Sequence, residues 1–475
     1  MAILMAFTTP SFTEGLPDLG DTSEAALPPR QEAALGQQIM REIRADRSYV
    51  DDPQLAAYLQ NLGSRLVQAG QRSTQEFEFF LVEDASLNAF ALPGGFIGVN
   101  TGLILAAQNE SELSAVLSHE IAHVTQRHIA RLIAGQRGAM LTSLAGLAIA
   151  ILAARSNSQV SEAALASTQA SMIQNQLNFT REHEQEADRV GLQTLSAGGF
   201  DPRAMATFFE RLQRSTRPLE SNAPSYLRTH PLTIERIADI ENRLDKLPTR
   251  QVASSLDFLL VKAKIRATTG SPQEALRYFE PNSTQTGHAR TALIYGTATA
   301  LRRAHDFTRA EKEANQLIGS KPQHPMIESL LADIKRDEGQ NSAALERYRS
   351  GLKLFPKDRA LFYGQVETLL ALKNYSEALK TVNDRLLNGQ DEEKLYELQS
   401  KTYAALGKRL LQHQAQAEVY YRRGDLRAAE DQLQIAIKSG DGDFYQVSSA
   451  EARLRQIRTE IEPQKPGSAT TRDRP

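Results

Sequence analysis

The chain has 475 residues, no cysteine, and 55 Lys and Arg against 57 Asp and Glu, a net charge of −2. That balance argues against a nucleic-acid partner, and the lack of cysteine excludes both a disulfide framework and thiolate metal ligands. A hydrophobic fraction of 41% is enough for folded cores, and the length allows two or three domains.

Met1 to Phe7 is a short apolar run with no Lys or Arg before Arg30. It is too short to span a bilayer and lacks the basic start of an export signal. Two readings stay open, the surviving end of a signal peptide or an ordinary N-terminus. Residues 8–29 are polar and dotted with Pro and Gly, and are expected to lie extended over the protein. Apolar periodicity predicts packing helices over Gln31–Arg44 and Pro53–Ala69. Phe77–Val82 and Phe96–Val99, the second behind a Pro93-Gly94-Gly95 turn, predict a small sheet.

Asn109 can cap the next helix, with Glu112 placed as in a capping box and Gly135 as a stop. Leu113, Val116, Leu117 and Val124 suggest an amphipathic stripe. Within it stands His119-Glu120-Ile121-Ala122-His123, an H-E-x-x-H motif. Histidines four apart leave one helix face and can share one divalent ion, while Glu120 is placed to deprotonate a water activated by that ion. The bland alternative is a solvated helix that carries two histidines by chance. A third ligand is not found just downstream, because Gln126 and Ile129 stand where a nearby Gly and His would be needed. It must come from another helix.

Gly138 to Ala154 carries no charged residue and is slightly short for a membrane span. A buried helix, a lid over the cleft, and a surface that touches membrane or a partner remain three open readings. The polar run Ser156–Gln176 would be its return leg. Thr180 to Gly191 then supplies the second half of the site. Glu184 and Asp188 are four apart, so Glu184 can bind the ion while Asp188 accepts the free ring N–H of a ligand histidine. Helices are expected over Asp201–Arg214 and Thr233–Leu244, with a loop at 221–228 followed by Thr229-His230-Pro231. Leu247-Pro248 marks a boundary.

Beyond Ser254 small residues recur. The intervals Ala275–Ala310, Ala310–Ala344 and Ala344–Ala378 are 35, 34 and 34 residues, the tetratricopeptide period. Ala429 follows after 51, which places an extra helix near Lys408–Arg422. Gly270, Gly339 and Gly424 lie five before their alanines, where paired helices turn, while His305 and Lys373 hold that place in two less regular repeats. Such a solenoid stacks on itself, so the domain before it is expected to fold without it. Its concave face captures a substrate or partner beside the cleft, or the repeats are a rigid platform that only docks the chain to a larger complex; both readings stay open.

H-E-I-A-H, the E-x-E-A-D-x-x-G of residues 184–191, Asn88-Ala89-Phe90-Ala91-Leu92-Pro93-Gly94-Gly95 and Thr229-His230-Pro231 together resemble the CAAX-prenyl-protease and Oma-type family of zinc metallopeptidases. The resemblance covers roughly residues 33–247. With the repeats, the chain is similar to a periplasmic branch whose members degrade misassembled outer-membrane proteins and assist their assembly. This implies a mainly α protein: a zincin-type metalloprotease domain with a small β-sheet (30–250), then a tetratricopeptide α-solenoid (251–461). Segments 1–29 and 462–475 flank these, the latter a disordered tail.

The resemblance further implies one Zn²⁺ per chain, held by His119, His123 and Glu184, with His230 close to the metal. Zinc filled by four protein ligands has no open position, so a bound His230 would hold the enzyme off. The alternative is a His230 that lines the cleft and helps hold the oxyanion. Arg236, six residues on, is the other candidate donor, or else a helix-surface ion pair. A strand edge near the zinc would pair with substrate backbone, which makes Asn88, Phe96 and Gly98 candidate substrate-binding residues; a plain structural hairpin is the other reading. The expected substrates are unfolded or misassembled outer-membrane proteins, and the expected partner of the repeats is the outer-membrane assembly machinery. A chaperone or assembly scaffold with a latent or secondary protease site is the alternative function.

Overall fold

The computed structural model describes residues 26–70, 73, 75–135, 180–216, 225–280, 285–319, 322–389 and 392–461. The expectations placed on 1–25, 138–154, 156–176 and 462–475 lie outside the described residues.

Helices α1 (Pro29–Ala45) and α2 (Pro53–Ala69) open on prolines, whose fixed φ suits a first turn. Asp52 caps α2 by accepting from the Gln54 and Leu55 amides at 3.0 and 3.1 Å. Three strands follow: β1 (Glu78–Val82), β2 (Ala89–Leu92) and β3 (Phe96–Asn100), in the order β1-β3-β2. β2 is too short and uniformly apolar to show alternation. It forms because Gly94 and Gly95, at φ of 81° and 85°, fold the chain back antiparallel onto β3.

This order corrects one expectation. Phe96 and Gly98 lie on the central strand, in register with Glu78 and Leu92, and with Phe80 and Phe90, respectively. Neither offers a free backbone edge to a substrate. The Tyr49–Val82 bridge covers part of the β1 side, and among the described residues no further strand pairs with β2 on its outer side.

After α3 (Thr101–Ala106) comes α4 (Glu110–Thr125), which carries His119 and His123. It is not amphipathic in place: every residue from Glu110 to Val124 is buried, so neighbours cover it all round. Nor does it run to Gly135. Arg127 adopts a left-handed φ of 52°, and α5 (His128–Gly135) leaves in a new direction. The Arg127 guanidinium donates to the Leu27 carbonyl at 2.8 Å, which ties this break to the segment before α1. Helices α6 (Arg181–Ala197), α7 (Arg203–Thr216), α8 (Ser225–Thr229) and α9 (Ile234–Leu244) complete this half, α8 lying where a loop was expected.

The remaining helices alternate in hairpins: α10 (Leu256–Thr268), α11 (Pro272–Phe279), α12 (Gly287–Arg303), α13 (Phe307–Asn315), α14 (Pro325–Asp337), α15 (Asn341–Leu354), α16 (Arg359–Ala371), α17 (Tyr375–Leu387), α18 (Glu393–Ala405), α19 (Arg409–Arg422), α20 (Leu426–Lys438) and α21 (Phe444–Ile461). The five periodic alanines are buried. The inter-helix turns take a left-handed residue whether it is glycine or not: Gly270, Gly339 and Gly424, but also His305 and Lys373 at φ of 59° and 60°. α19 is the extra helix that the 51-residue interval calls for.

The solenoid is not a separate body. One apolar cluster runs from Leu55 through the protease helices to Ile334 in the third repeat pair. Glu110, at the start of α4, is buried and accepts from the Ser255 amide at 3.0 Å, the Ser255 hydroxyl at 2.8 Å and the Tyr58 hydroxyl at 3.0 Å. Lys264 reaches Gln54 at 2.7 Å and pairs with Asp52. Farther along, Gly424 packs against Arg41 of α1 so closely that a Cβ there would meet its Cδ. Part of the solenoid surface therefore covers the protease half.

A chain cut after residue 250 is accordingly expected to lose cooperative folding. The cut exposes the α10 face of the core and leaves Glu110 without two of its donors. Breaking a buried charged network in this way costs on the order of 3–5 kcal/mol. Thermal melting by circular dichroism checks this. A soluble fragment that melts cooperatively within a few degrees of the full chain would show the halves to be independent.

Candidate metal centre

α4 and α6 cross where Gly191 allows contact. A Cβ on Gly191 would sit 3.1 Å from the His119 backbone, so glycine lets the two helices approach. Thr180 caps α6, its hydroxyl accepting from the His183 amide at 3.2 Å. From these two helices and the residue after α8, one ligand atom each of His119, His123, Glu184 and His230 falls within 4.8 Å of the others, all four side chains buried.

The spacings suit a single small cation. Nε2 of His119 lies 3.0 Å from Nε2 of His123, 3.4 Å from Nδ1 of His230 and 3.5 Å from Oε2 of Glu184. Oε1 of Glu184 lies 3.4 Å from His123 Nε2 and 2.9 Å from His230 Nδ1. Four atoms placed tetrahedrally about 2.0–2.1 Å from one centre stand roughly 3.3 Å apart, the geometry of nitrogen and oxygen ligands on zinc. The residues present therefore fit a zinc ion.

Charge in this buried pocket is set by partners. Burial alone would lower the His119 pKa, but hydrogen bonds to Asp188 and Glu184 raise it to about 9. Burial wins at His123 and takes it to about 3, despite Glu184. Glu184 resists burial because His230, His119 and His123 surround it, and its carboxyl stays well below the usual range. Burial raises the Glu120 carboxyl, only partly offset by His230 and His119. A carboxylate with a raised pKa is a better proton acceptor near neutrality.

Asp188 Oδ1 stands 3.0 Å from His119 Nδ1, on the side of the ring away from the cluster. Arg236 holds Asp188 with two hydrogen bonds of 2.7 and 2.8 Å, donates to the Pro231 carbonyl at 2.8 Å and pairs with Glu184 Oε2 at 2.7 Å. This corrects the expected oxyanion role. Arg236 does reach the site, but its guanidinium is buried and committed to Asp188, Glu184 and the His230 loop. Those contacts take up its donors on neighbouring groups.

Asn88 precedes β2 and keeps a buried side-chain oxygen without a hydrogen-bond partner among the described residues. Phe96 and Gly98 lie on the central strand of the sheet. Residues not anticipated also gather here. Tyr226 stacks on His230 with ring centroids 4.8 Å apart, and its buried hydroxyl has no hydrogen-bond partner among the described residues. The Tyr226 carbonyl accepts from the His230 amide at 2.8 Å, so the i, i+4 spacing of Tyr226 and His230 was a usable signal. His128 lies beside His123, for reasons no spacing could reveal on an unbroken helix, and the His183 ring of α6 stacks on His128.

Residues 53–244 match the model of peptidase family M48, and residues 335–402 match a tetratricopeptide repeat model. The chain is 34% identical to the beta-barrel assembly-enhancing protease of Escherichia coli K12, over 96% of its own length and 94% of that protein. It is 31% identical to the protein of that name in Yersinia pestis, over 93% and 91% of the two chains. It is also 30% identical to the mitochondrial metalloendopeptidase OMA1 of Schizosaccharomyces pombe, over 42% of this chain and 55% of that one.

Proposed function

The chain belongs to peptidase family M48 and is a metalloendopeptidase with tetratricopeptide repeats, and on that premise we propose that it is a zinc endopeptidase of the periplasm that acts in outer-membrane protein quality control. The observation that carries the reading is the convergence of His119, His123, Glu184 and His230 on one point, with the buried Glu120 carboxyl alongside. The two bacterial relatives are named for assembly of β-barrels, which points to unfolded or misassembled outer-membrane proteins as substrates and to the assembly machinery as partner. The lack of cysteine suits an oxidising compartment. Among the described residues no helix is long and apolar enough to cross a membrane.

His119, His123 and Glu184 would hold the zinc, with His230 as a fourth, displaceable ligand. A bound zinc ion polarises the scissile carbonyl and activates the attacking water. Glu120 takes the proton from that water and passes it to the leaving amine. Asp188 fixes the His119 tautomer, and Arg236 holds Asp188 and Glu184 in place. With Arg236 committed, the Tyr226 hydroxyl, without a partner among the described residues, is the better placed donor for the developing oxyanion. The open edge of β2, with Asn88 at its start, takes an extended substrate by backbone pairing. Such pairing reads main chain more than side chains and suits unfolded segments of varied sequence.

Metal analysis tests the site. The purified full chain is expected to hold one zinc per molecule, and Glu184→Ala to hold little under the same conditions. Full zinc in Glu184→Ala would remove that residue from the ligand set.

A further inference from the structure

His123 has two ring nitrogens, and the metal cluster accounts for one. The other, Nδ1, lies 2.9 Å from Nδ1 of His128. Across the His128 ring, Nε2 stands 3.2 Å from Oε2 of Glu186. That same oxygen receives Nη1 of Arg131 at 2.7 Å. His128 is fully buried, and the His183 ring stacks on it at 4.6 Å and 17°, which fixes its plane. Glu186 reaches partial exposure. A line of contacts therefore runs from the metal cluster to the protein surface.

This line exists because α4 breaks. On a continuous helix a residue five after His123 would point well away from it. The left-handed φ at Arg127 turns the chain and brings His128 under His123. A non-glycine residue in that conformation costs roughly 1–2 kcal/mol. Arg127 is held there by the Leu27 carbonyl and by Glu32 at 3.4 Å.

The chemistry allows one assignment of protons. A His123 that gives Nε2 to a cation carries its hydrogen on Nδ1 and donates to His128 Nδ1. His128 must then be the Nε2–H tautomer, donating to the Glu186 oxygen that Arg131 also holds. We propose that His128 and Glu186 form a positioning relay that fixes the tautomer and ring angle of His123, as Asp188 and Arg236 do for His119. His128 touches neither substrate nor reacting atoms and acts through His123. The inference rests on the zinc reading of the cluster.

Two measurements on the full chain test it. The first is zinc affinity by competition with a chromophoric chelator. His128→Leu is expected to weaken zinc binding 10- to 100-fold, the usual effect of losing such a partner. His128→Asn is expected to stay within a few-fold of wild type, because its side-chain oxygen stands where Nδ1 stood and still accepts from His123. The second is histidine ¹⁵N NMR of the zinc-loaded wild type, which should show His123 as the Nδ1–H and His128 as the Nε2–H tautomer. If His128→Leu does not fold, the asparagine variant and the spectrum decide. His128→Leu binding within two-fold of wild type, equal weakening by Leu and Asn, or an Nδ1–H or charged His128 would overturn the relay alone. A wild-type chain that binds no zinc would overturn the zinc reading and the relay with it.

Discussion

Glu120→Gln is expected to leave a folded, zinc-loaded chain that cleaves an unfolded β-rich substrate 10²- to 10⁴-fold more slowly, the usual span for a lost general acid–base group. The side chains have the same shape, so packing around the fully buried position 120 should not change. What changes is the proton. The carboxylate can accept one from the attacking water and the amide cannot. The surroundings favour that transfer, because burial raises the Glu120 carboxyl, an effect that His230 and His119 only partly offset. The ligand atoms belong to other residues, so zinc content should match wild type. Single-turnover cleavage with parallel metal analysis makes the comparison. Retention of more than a tenth of wild-type cleavage with full zinc would mean that another group takes the proton. Substrate binding by both proteins without cleavage by either would favour a scaffold function.

The parts of this site readable from sequence are those fixed by spacing within one helix. His119 with His123, and Glu184 with Asp188, must share faces once their segments are helical. The turns of the solenoid were readable for the same reason, because each repeat has a local geometry. Even His305 and Lys373, which look irregular as letters, take the left-handed backbone that the turn demands. Features set by distant contacts were not readable. The break at Arg127 depends on the Leu27 carbonyl 100 residues earlier. β2 exists because β3 lies beside it, and this moved the open edge away from Phe96 and Gly98. Arg236 looked free to act because nothing local shows that Asp188, 48 residues before it, already holds it. The boundary near residue 250 is a real change of composition, yet Glu110 and Ser255 tie the two sides together.

His230→Ala is expected to keep its zinc and to raise basal proteolysis. Nδ1 of His230 stands among the ligand atoms, 2.9 Å from Glu184 and 3.4 Å from His119, while its Nε2 lies 3.6 Å from the Glu120 carboxyl. If these atoms hold a zinc ion, this ring would take the position that a water needs, and it also faces the Glu120 carboxyl proposed as the base. Four protein ligands complete a tetrahedral zinc site and leave nothing open for catalysis. The ring is held from three sides: Tyr226 stacks on it, its own amide donates to the Tyr226 carbonyl, and Arg236 grips the next residue through the Pro231 carbonyl. Opening must therefore move the loop as a unit, which a substrate strand or a partner on the repeats could do. If the open form makes up about 10% or less of the resting population, removing the ring should raise basal cleavage roughly ten-fold or more. Three ligands remain, the usual number at a catalytic zinc, so the metal should stay. The rival role has the opposite sign. A His230 that donates to the oxyanion would cost about 10²-fold in kcat when truncated. Cleavage of an unstructured reporter peptide by wild type and His230→Ala at equal zinc content separates the two, and a rate at or below wild type would rule out the gate.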